Sequence, residues 1–451
     1  MLARFLYKSY SLFYLVRHWR NQHFTPAGGM IIAAIILSGI FGLNILKTNL
    51  YQVLAFGVSI MLVSLGYSLF GFRLKVIVNR ILPEYATMGD KGIYEIEIKN
   101  LSSKTQKGLI FYEEIHDPRP SFKLLLSKKE PFEHKRNAWD RKTLYFRWLW
   151  LIEKNQKARF FPIELPALPG GETIRVKALF VPESRGYINF SGCTFARPDA
   201  LGIFNRLHRV ERNQKILVLP RQYRLETPQL ISTRQYQRGG ICQASSIGDS
   251  DEFMSLRHYR PGDPLRNVHW RTFAKTRELV IKEFEDEYFV RHVIILDRIL
   301  SSGNEALFES AVSIASSYIT PLKTHEAIFD LMLVGNRSHS FSWGRGLGHS
   351  KKMLEILACI EPCDGKTIFE LAPAIQADLK KFSSSICIFL GWEEGHKKVY
   401  QLFKQALVPI FIIVLAENKL KMAEKIFQDK TAMAHIKVVE TSQIQETLGK
   451  I

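Results

Sequence analysis

The sequence predicts a chain of α/β plus β class in three parts: an N-terminal transmembrane helical hairpin, an antiparallel β-sandwich, and a doubly wound α/β domain. Three observations carry that expectation. Two uncharged apolar runs lie close together near the N-terminus, short alternating runs follow, and the last third alternates apolar strands with helices. At 451 residues the chain exceeds what one core organises, since domains run to roughly 50–200 residues, so two folded units are expected beside the membrane part. A composition 46% hydrophobic and only 23% charged excludes a long disordered tail.

Residues 1–27 mix Phe, Tyr, Leu and Trp with Arg4, Lys8, Arg17 and Arg20. That chemistry suits either a segment in the lipid headgroup zone or a plain cytoplasmic tail. Residues 28–72 form the expected hairpin. Gly28–Leu46 is uncharged and close to the roughly 20 residues that cross a bilayer as helix, and the uncharged Leu50–Phe72 follows after Lys47, Thr48 and Asn49. Basic residues before the first run and after the second (Arg73, Lys75, Arg80) outnumber Lys47 in the connection. The positive-inside bias therefore places termini and soluble parts on the cytoplasmic side of a bacterial inner membrane, as a two-pass protein. A cleaved signal peptide fits poorly, because the first run is long, has no A-x-A-like exit and is followed by a second.

Residues 76–215 read as an antiparallel β-sandwich of immunoglobulin-like type. Gly92 to Lys99 alternates, with Tyr94, Ile96 and Ile98 on the face opposite Ile93, Glu95, Glu97 and Lys99, and Leu109–Ile115, Thr173–Val181 and Gly186–Phe190 read as further strands. An insertion at 119–161 carries basic residues, among them Arg136, Arg147 and Lys154, between Trp139, Tyr145, Trp148 and Trp150. It reads as an exposed β-hairpin with solvated charges, with a lipid-interface loop or a nucleic-acid groove as alternatives. The net charge of +19 fits nucleic acid, an anionic membrane or an acidic protein; no nucleic-acid motif accompanies it, so the membrane reading is simpler. Five cysteines, Cys193, Cys242, Cys359, Cys363 and Cys387, show no CxxC pair, which excludes a disulfide framework or zinc site by spacing and fits a reducing compartment.

The segment 216–290 holds the most specific pattern. Arg260-Pro261-Gly262-Asp263-Pro264 is a rigid turn, flanked by Arg257, His258, Tyr259, Arg266, His269, Trp270 and Arg271. Such a cluster holds carboxylates or phosphates through charge-assisted contacts. Read functionally it is a docking surface; read structurally it is a latch, with Arg260 or Arg266 on Asp263, Glu283 or Glu285 and His269-Trp270 in a core. His269 and His258 have no nucleophile or metal partner at a definable spacing, so a catalytic role lacks its other members. This block, together with Arg185-Gly186-Tyr187 and the Arg197-Pro198-Asp199-Ala200-Leu201-Gly202-Ile203-Phe204 turn, resembles the bacterial domain-of-unknown-function 58 family across nearly the whole chain.

Residues 291–451 alternate strand and helix: strands at His292–Leu296, Ala327–Val334, Ile386–Leu390 and Ile410–Leu415, helices at Asn304–Leu322, Leu347–Cys359, Thr367–Lys380 and Glu393–Gln405. The arrangement resembles a von Willebrand factor A domain, whose metal site begins D-x-S-x-S. Here Asp297 and Ser301 remain, Ile299 replaces the first Ser, and Gly391-Trp392 stands where a later Asp is wanted, so a degenerate site without metal is expected. The family resemblance implies a non-enzymatic scaffold or adaptor that works with a MoxR-type AAA+ ATPase; the chain has no Walker-type loop of its own, and no cofactor is expected. The expected partners are thus a lipid bilayer and a protein, with a membrane-surface enzyme or a nucleic-acid binder as the competing readings.

Overall fold

The computed structural model describes residues 2–41, 50–69, 72, 74–131, 133–225, 236–237, 253–284, 288–300, 305–319, 327–333, 339–342, 347–363, 367–427 and 436–449. Cys242, Ser301, Lys47 and the end of the first apolar run, 42–46, lie outside them. The chain divides into two compact units, Met1–Arg221 and Gln222–Ile451.

The first unit opens with three helices, α1 (Leu2–His23), α2 (Pro26–Phe41) and α3 (Leu50–Leu69). Within α3, Tyr51–Ser68 is long and apolar enough to cross a membrane, while α2 is a shorter apolar helix. Ile35 of α2 rests against Gly57 of α3. Both helices keep large apolar side chains such as Ile36, Phe41, Phe56 and Val63 exposed, which water would penalise.

Two sheets follow. Strands β1 (Val76–Ile81), β2 (Tyr85–Thr87), β3 (Gly92–Asn100) and β4 (Ile110–Ile115) precede the insertion; β5 (Ala158–Phe160), β6 (Ile163–Glu164), β7 (Thr173–Pro182), β8 (Gly186–Pro198) and β9 (Asn205–Leu219) come after it. One sheet runs β1-β3-β7-β5 and the other β2-β9-β8-β4-β6, antiparallel except where β2 meets β9. Their inner faces share one core. Tyr94, Ile96, Ile98 and Phe180 from the first sheet meet Phe111, Ile188, Phe190, Phe195 and Val218 from the second, so the alternation in β3 points as the sequence predicts. Within this core Arg80 is fully buried, which only a matched set of acceptors permits. Its Nη2 and Nε donate to Glu113 Oε1 at 2.6 and 3.0 Å, and further N–H groups reach the Gly192 and Arg212 carbonyls at 2.8 and 2.9 Å.

The expected β-hairpin at 119–161 is a correction: this insertion is helical, with α4 (Phe122–Ser127), α5 (Ala138–Thr143) and α6 (Tyr145–Asn155). Ser121 and Asn137 cap α4 and α5 by accepting from the Leu124 and Asp140 N–H groups, and Trp148 and Leu151 of α6 close on Leu125 of α4. The decisive partner is distant in sequence. Tyr7 and Tyr10 of α1 pack edge-on against Phe122, Trp148 and Tyr145, and their hydroxyls donate to the Pro120 and Thr143 carbonyls at 3.2 and 3.1 Å. Two of the basic residues are also engaged internally: Arg136 forks onto Glu130 at 2.6 and 2.9 Å, and Arg147 pairs with Glu133.

The β8–β9 tip, 199–204, grips the helices. Asp199 is buried; its Oδ1 accepts from the Ile203 N–H at 2.9 Å and its Oδ2 from the Ser64 hydroxyl of α3. Thr25 donates to the Gly202 carbonyl, and Phe24 lies 4.5 Å, centroid to centroid, from Phe204. Gly28 of α2 is required here, because a Cβ on it would sit 2.3 Å from the Ile203 carbonyl oxygen.

The second unit contains β10 (Tyr236–Gln237), β11 (Phe253–His258), α7 (Trp270–Thr276), β12 (Val280–Phe284), β13 (Tyr288–Leu296), α8 (Glu305–Ile319), β14 (Ala327–Leu333), β15 (His339–Ser342), α9 (Leu347–Cys359), α10 (Ala372–Asp378), β16 (Ser384–Phe389), α11 (Glu394–Gln405), β17 (Ile410–Ala416), α12 (Lys419–Phe427), β18 (Ile436–Glu440) and α13 (Ile444–Leu448). The main sheet runs β15-β14-β13-β16-β17-β18, with β10 pairing β13. All neighbours from β14 to β18 are parallel and β15 is reversed, which is the doubly wound order 3-2-1-4-5-6. Every residue of β16 is buried, as a central parallel strand covered on both faces requires. The helix expected at Thr367–Lys380 is narrower, α10 flanked by short 3-10 turns, with Pro373 in its first turn.

Candidate functional site

Strands β11 and β12 pair antiparallel from Phe253↔Phe284 to His258↔Val280, and the chain between them carries the Pro-Gly turn. Inside the turn the Asp263 N–H donates to the Arg260 carbonyl at 3.0 Å, and the Arg260 N–H donates back to Asp263 Oδ2 at 2.8 Å. Gly262 sits at φ +106°, a conformation that side chains resist, and Pro261 and Pro264 fix φ on either side. Arg257 of β11 then closes the turn with a two-pronged contact, Nη1 to Oδ2 at 2.7 Å and Nη2 to Oδ1 at 2.8 Å. These bonds from Arg257 and the Arg260 N–H hold the Asp263 carboxyl down at about 2.

The turn is therefore latched, but by a different arginine from the one expected. Neither Arg260 nor Arg266 provides the fork on Asp263: the strand pleat aims Arg257 at the turn, whereas Arg260 lies within it, bonds through its backbone and exposes its side chain. The Glu283 side chain and Glu285 lie outside the described residues. Tyr259 and His269 tie the segment to β12 through N–H bonds to the Leu279 and Val280 carbonyls, 2.9 and 2.8 Å. The ring of His269 meets Thr272 Oγ1 at 2.5 Å with Nδ1, a local contact at the start of α7.

A core position for His269-Trp270 is also corrected. Val268 and Ile281 take the buried places, and a seven-residue helix cannot bury its opposite side as well. Trp270 is left 59% exposed and Leu265 61% exposed, with Phe273 edge-on to Trp270 at 6.1 Å. Arg260, Arg266, Arg271, Lys275 and Arg277 are exposed along the same segment. Aromatic anchors among arginines are the residue types that dominate protein-docking energetics.

In the doubly wound sheet, β13 is followed directly by Asp297, which is fully buried. Oδ1 accepts from the Ile299 N–H at 3.0 Å, and Oδ2 accepts from the Leu390 N–H at 3.1 Å and from His396 Nε2 at 3.0 Å. His396, near the start of α11, can donate from Nε2 because its Nδ1 accepts the Glu393 N–H at 3.0 Å. Both ring nitrogens are occupied, so this imidazole offers no lone pair to a substrate. Arg298 turns away, donating to the Glu361 carbonyl at 2.9 and 2.6 Å. A hard divalent cation needs about six oxygen donors. This carboxylate already accepts three N–H groups, the Ile299 side chain offers no oxygen, and Trp392 is buried apolar bulk, so the described residues here do not fit such an ion. Next to it, at the carboxyl ends of β16 and β17, lies a cavity of ≈ 290 Å³ lined by Leu307, Leu390, Met422, Lys421 and Lys425.

The family described as Protein of unknown function DUF58 matches residues 255–383, a span that opens in β11 and includes the latched turn, α7 and β13. The chain carries a DUF58 domain. The uncharacterized protein YeaD of Bacillus subtilis (strain 168) is 28% identical over 182 residues, 40% of this chain and 44% of that protein, so the match spans less than half of the relative's length. Among solved structures, the ArnB paralog VWA2 from Sulfolobus acidocaldarius aligns at 21% identity over 36% of this chain and 44% of that one, with a TM-score of 0.24.

Within the DUF58 segment, the structure brings Arg257, Arg260 and Asp263 into one hydrogen-bonded unit around the Gly262 turn, and leaves the Trp270 side chain exposed. Sequence reasoning missed His396, which meets Asp297 across a separation of 99 residues. No spacing rule reaches that far; only the sheet order brings the two together.

Proposed function

We propose that this protein is a membrane-tethered, non-enzymatic adaptor whose DUF58 turn docks a protein partner. One observation carries the reading: the Arg257–Asp263 fork satisfies the turn internally, while Leu265, Trp270 and Phe273 remain uncovered among arginines. A rigid, self-satisfied scaffold that presents aromatic anchors is built for a protein surface, and the surrounding cations favour one that is acidic.

The tether consists of α2 and α3 passing through the bacterial inner membrane as a two-pass hairpin. Supporting it are the apolar stretch in α3, the uncovered apolar side chains on both helices, and the basic flanks that set cytoplasmic termini. The partner we favour is a MoxR-type AAA+ ATPase, which the resemblance to the DUF58 family implies; the ATP chemistry would then belong to that partner. A photo-crosslinker placed at Trp270 in intact membranes tests this. Recovery of an AAA+ ATPase, lost when Arg257→Ala unlatches the turn, is the expected result; adducts containing only lipid or no protein would sink the docking role.

A further inference from the structure

We propose that α1 is an in-plane membrane helix whose outward face lies in the headgroup zone of a bilayer rich in anionic phospholipid. This extends the tether reading above and rests on it.

The helix has two used sides. Tyr7, Tyr10 and Ser11 face the insertion: the two tyrosines bond Pro120 and Thr143 and pack edge-on against its aromatic side chains, and Arg119 Nη1 donates to Ser11 Oγ at 2.9 Å. That clasp fixes the rotation of α1 about its axis. At 100° per residue the opposite side carries Leu2, Phe5, Leu12, Phe13 and Val16, all exposed, with Phe13 at 74%. Because the tyrosine side is taken, this stripe cannot turn inward. Water is a poor solvent for it, and a bilayer surface is a suitable one.

Charge and continuity identify the occupant as lipid. Arg4 and Lys8 border one edge of the stripe, and Arg17 and Arg20 lie towards its other edge and its end. Not one Asp or Glu occurs before Glu84. A helix this basic with an apolar face matches an anionic leaflet, where each nearby cation adds attraction that salt screens. Only Phe24 and Thr25 separate α1 from α2, and Asn205 Nδ2 donates to the Gln22 carbonyl at 3.0 Å beside the turn that grips α2. The end of α1 is thereby held where the tether enters lipid.

The test uses the full-length protein in proteoliposomes. Phe13→Trp places a reporter on the exposed stripe without touching the tyrosine clasp, and its emission is the difference from the parent protein. With acyl-brominated phosphatidylglycerol the difference signal should be largely lost. With brominated phosphatidylcholine at equal mole fraction the loss should be smaller, and high salt or the exposed double variant Arg17→Gln, Arg20→Gln should erase the preference. Equal quenching by both lipids overturns the anionic selectivity. A signal open to aqueous iodide but not to brominated lipid overturns the placement, and a signal shielded from both assigns the face to protein, such as a second copy. Flotation after a carbonate wash separates this from the tether: protein that leaves the vesicles overturns both, whereas protein retained with a lipid-silent reporter overturns α1 alone.

Discussion

Two Arg-Pro turns in this chain are built from the same parts and finish differently. In the first unit, Arg197-Pro198-Ala200 brackets Asp199, whose oxygens accept the Ile203 N–H and the Ser64 hydroxyl, and the flanks Ile203 and Phe204 are covered by Phe24, Thr25 and Gly28. In the second, Arg260-Pro261-Gly262 leads to Asp263, which accepts from Arg257 and the Arg260 N–H, while the flanks Leu265 and Trp270 stay open. A carboxylate-fixed turn is a fastener when its flanks are covered and a platform when they are not. The fold around the turn decides which.

The largest expected effect comes from removing the fastener. Asp199→Ala deprives a buried N–H and a buried hydroxyl of their acceptor at about 1–3 kcal/mol each, so a loss of about 2–6 kcal/mol is expected in unfolding of the detergent-solubilised protein. Asp263→Ala should shift the same measurement clearly less, because its pair is in contact with water. Equal losses for the two variants would erase the contrast between fastener and platform.

Acid should distinguish the platform from the doubly wound sheet of the same unit. His292 is buried with its Nδ1 on Ser384 Oγ, and burial pushes its pKa down to about 4. Its folded value lies below the ordinary one near 6.5, so unfolding takes up a proton as pH falls; stability is complete above about 6.5 and declines towards 4, by roughly 2 kcal/mol at pH 5. Asp263, held at about 2, stays ionised through that window and releases its fork only between about pH 4 and 2. Crosslinking from position 270 should therefore persist at pH 5 while the melting temperature falls. Loss of crosslinking above pH 5 with no change in melting would reverse the order of events.

How far sequence anticipated these regions follows from the distance between partners. The strand Gly92–Asn100 was legible because Tyr94, Ile96 and Ile98 alternate within one element, and the sheet of the second unit because buried strands and helices alternate along the chain. The insertion was not legible: its helices are 6 to 11 residues long, short enough that their form depends on Tyr7 and Tyr10 more than 100 residues away. Ser121 and Asn137 were the available signals, since each precedes its helix and caps it. The latch was half legible. Three arginines stand within ten residues of one another, and which of them meets Asp263 is a matter of strand pleat that composition does not encode.

A smaller effect probes how tightly the fastener closes. Gly28→Ala forces the Ile203 carbonyl to retreat from a new methyl, and overpacking of this kind costs about 1–3 kcal/mol. Gly29, one residue on, has open space around it, so Gly29→Ala should leave the melting temperature unchanged or slightly raised. If the two alanines behaved alike, the close contact at Ile203 would not exist in solution.

The smallest expected effect on stability is the most informative about the platform. Trp270→Ala removes an exposed side chain whose ring contact is Phe273, and surface substitutions of that kind stay within about 0.5 kcal/mol. If Trp270 anchors a partner, truncation removes a hot-spot contact worth at least about 2 kcal/mol, which weakens binding some thirtyfold. Arg271→Ala, on the same helix and also exposed, should act through charge, slowing association at low salt and mattering little at high salt. A Trp270→Ala protein that melts normally and still captures its partner with parental affinity would show that the open turn presents nothing, and that the two Arg-Pro turns differ in exposure without differing in role.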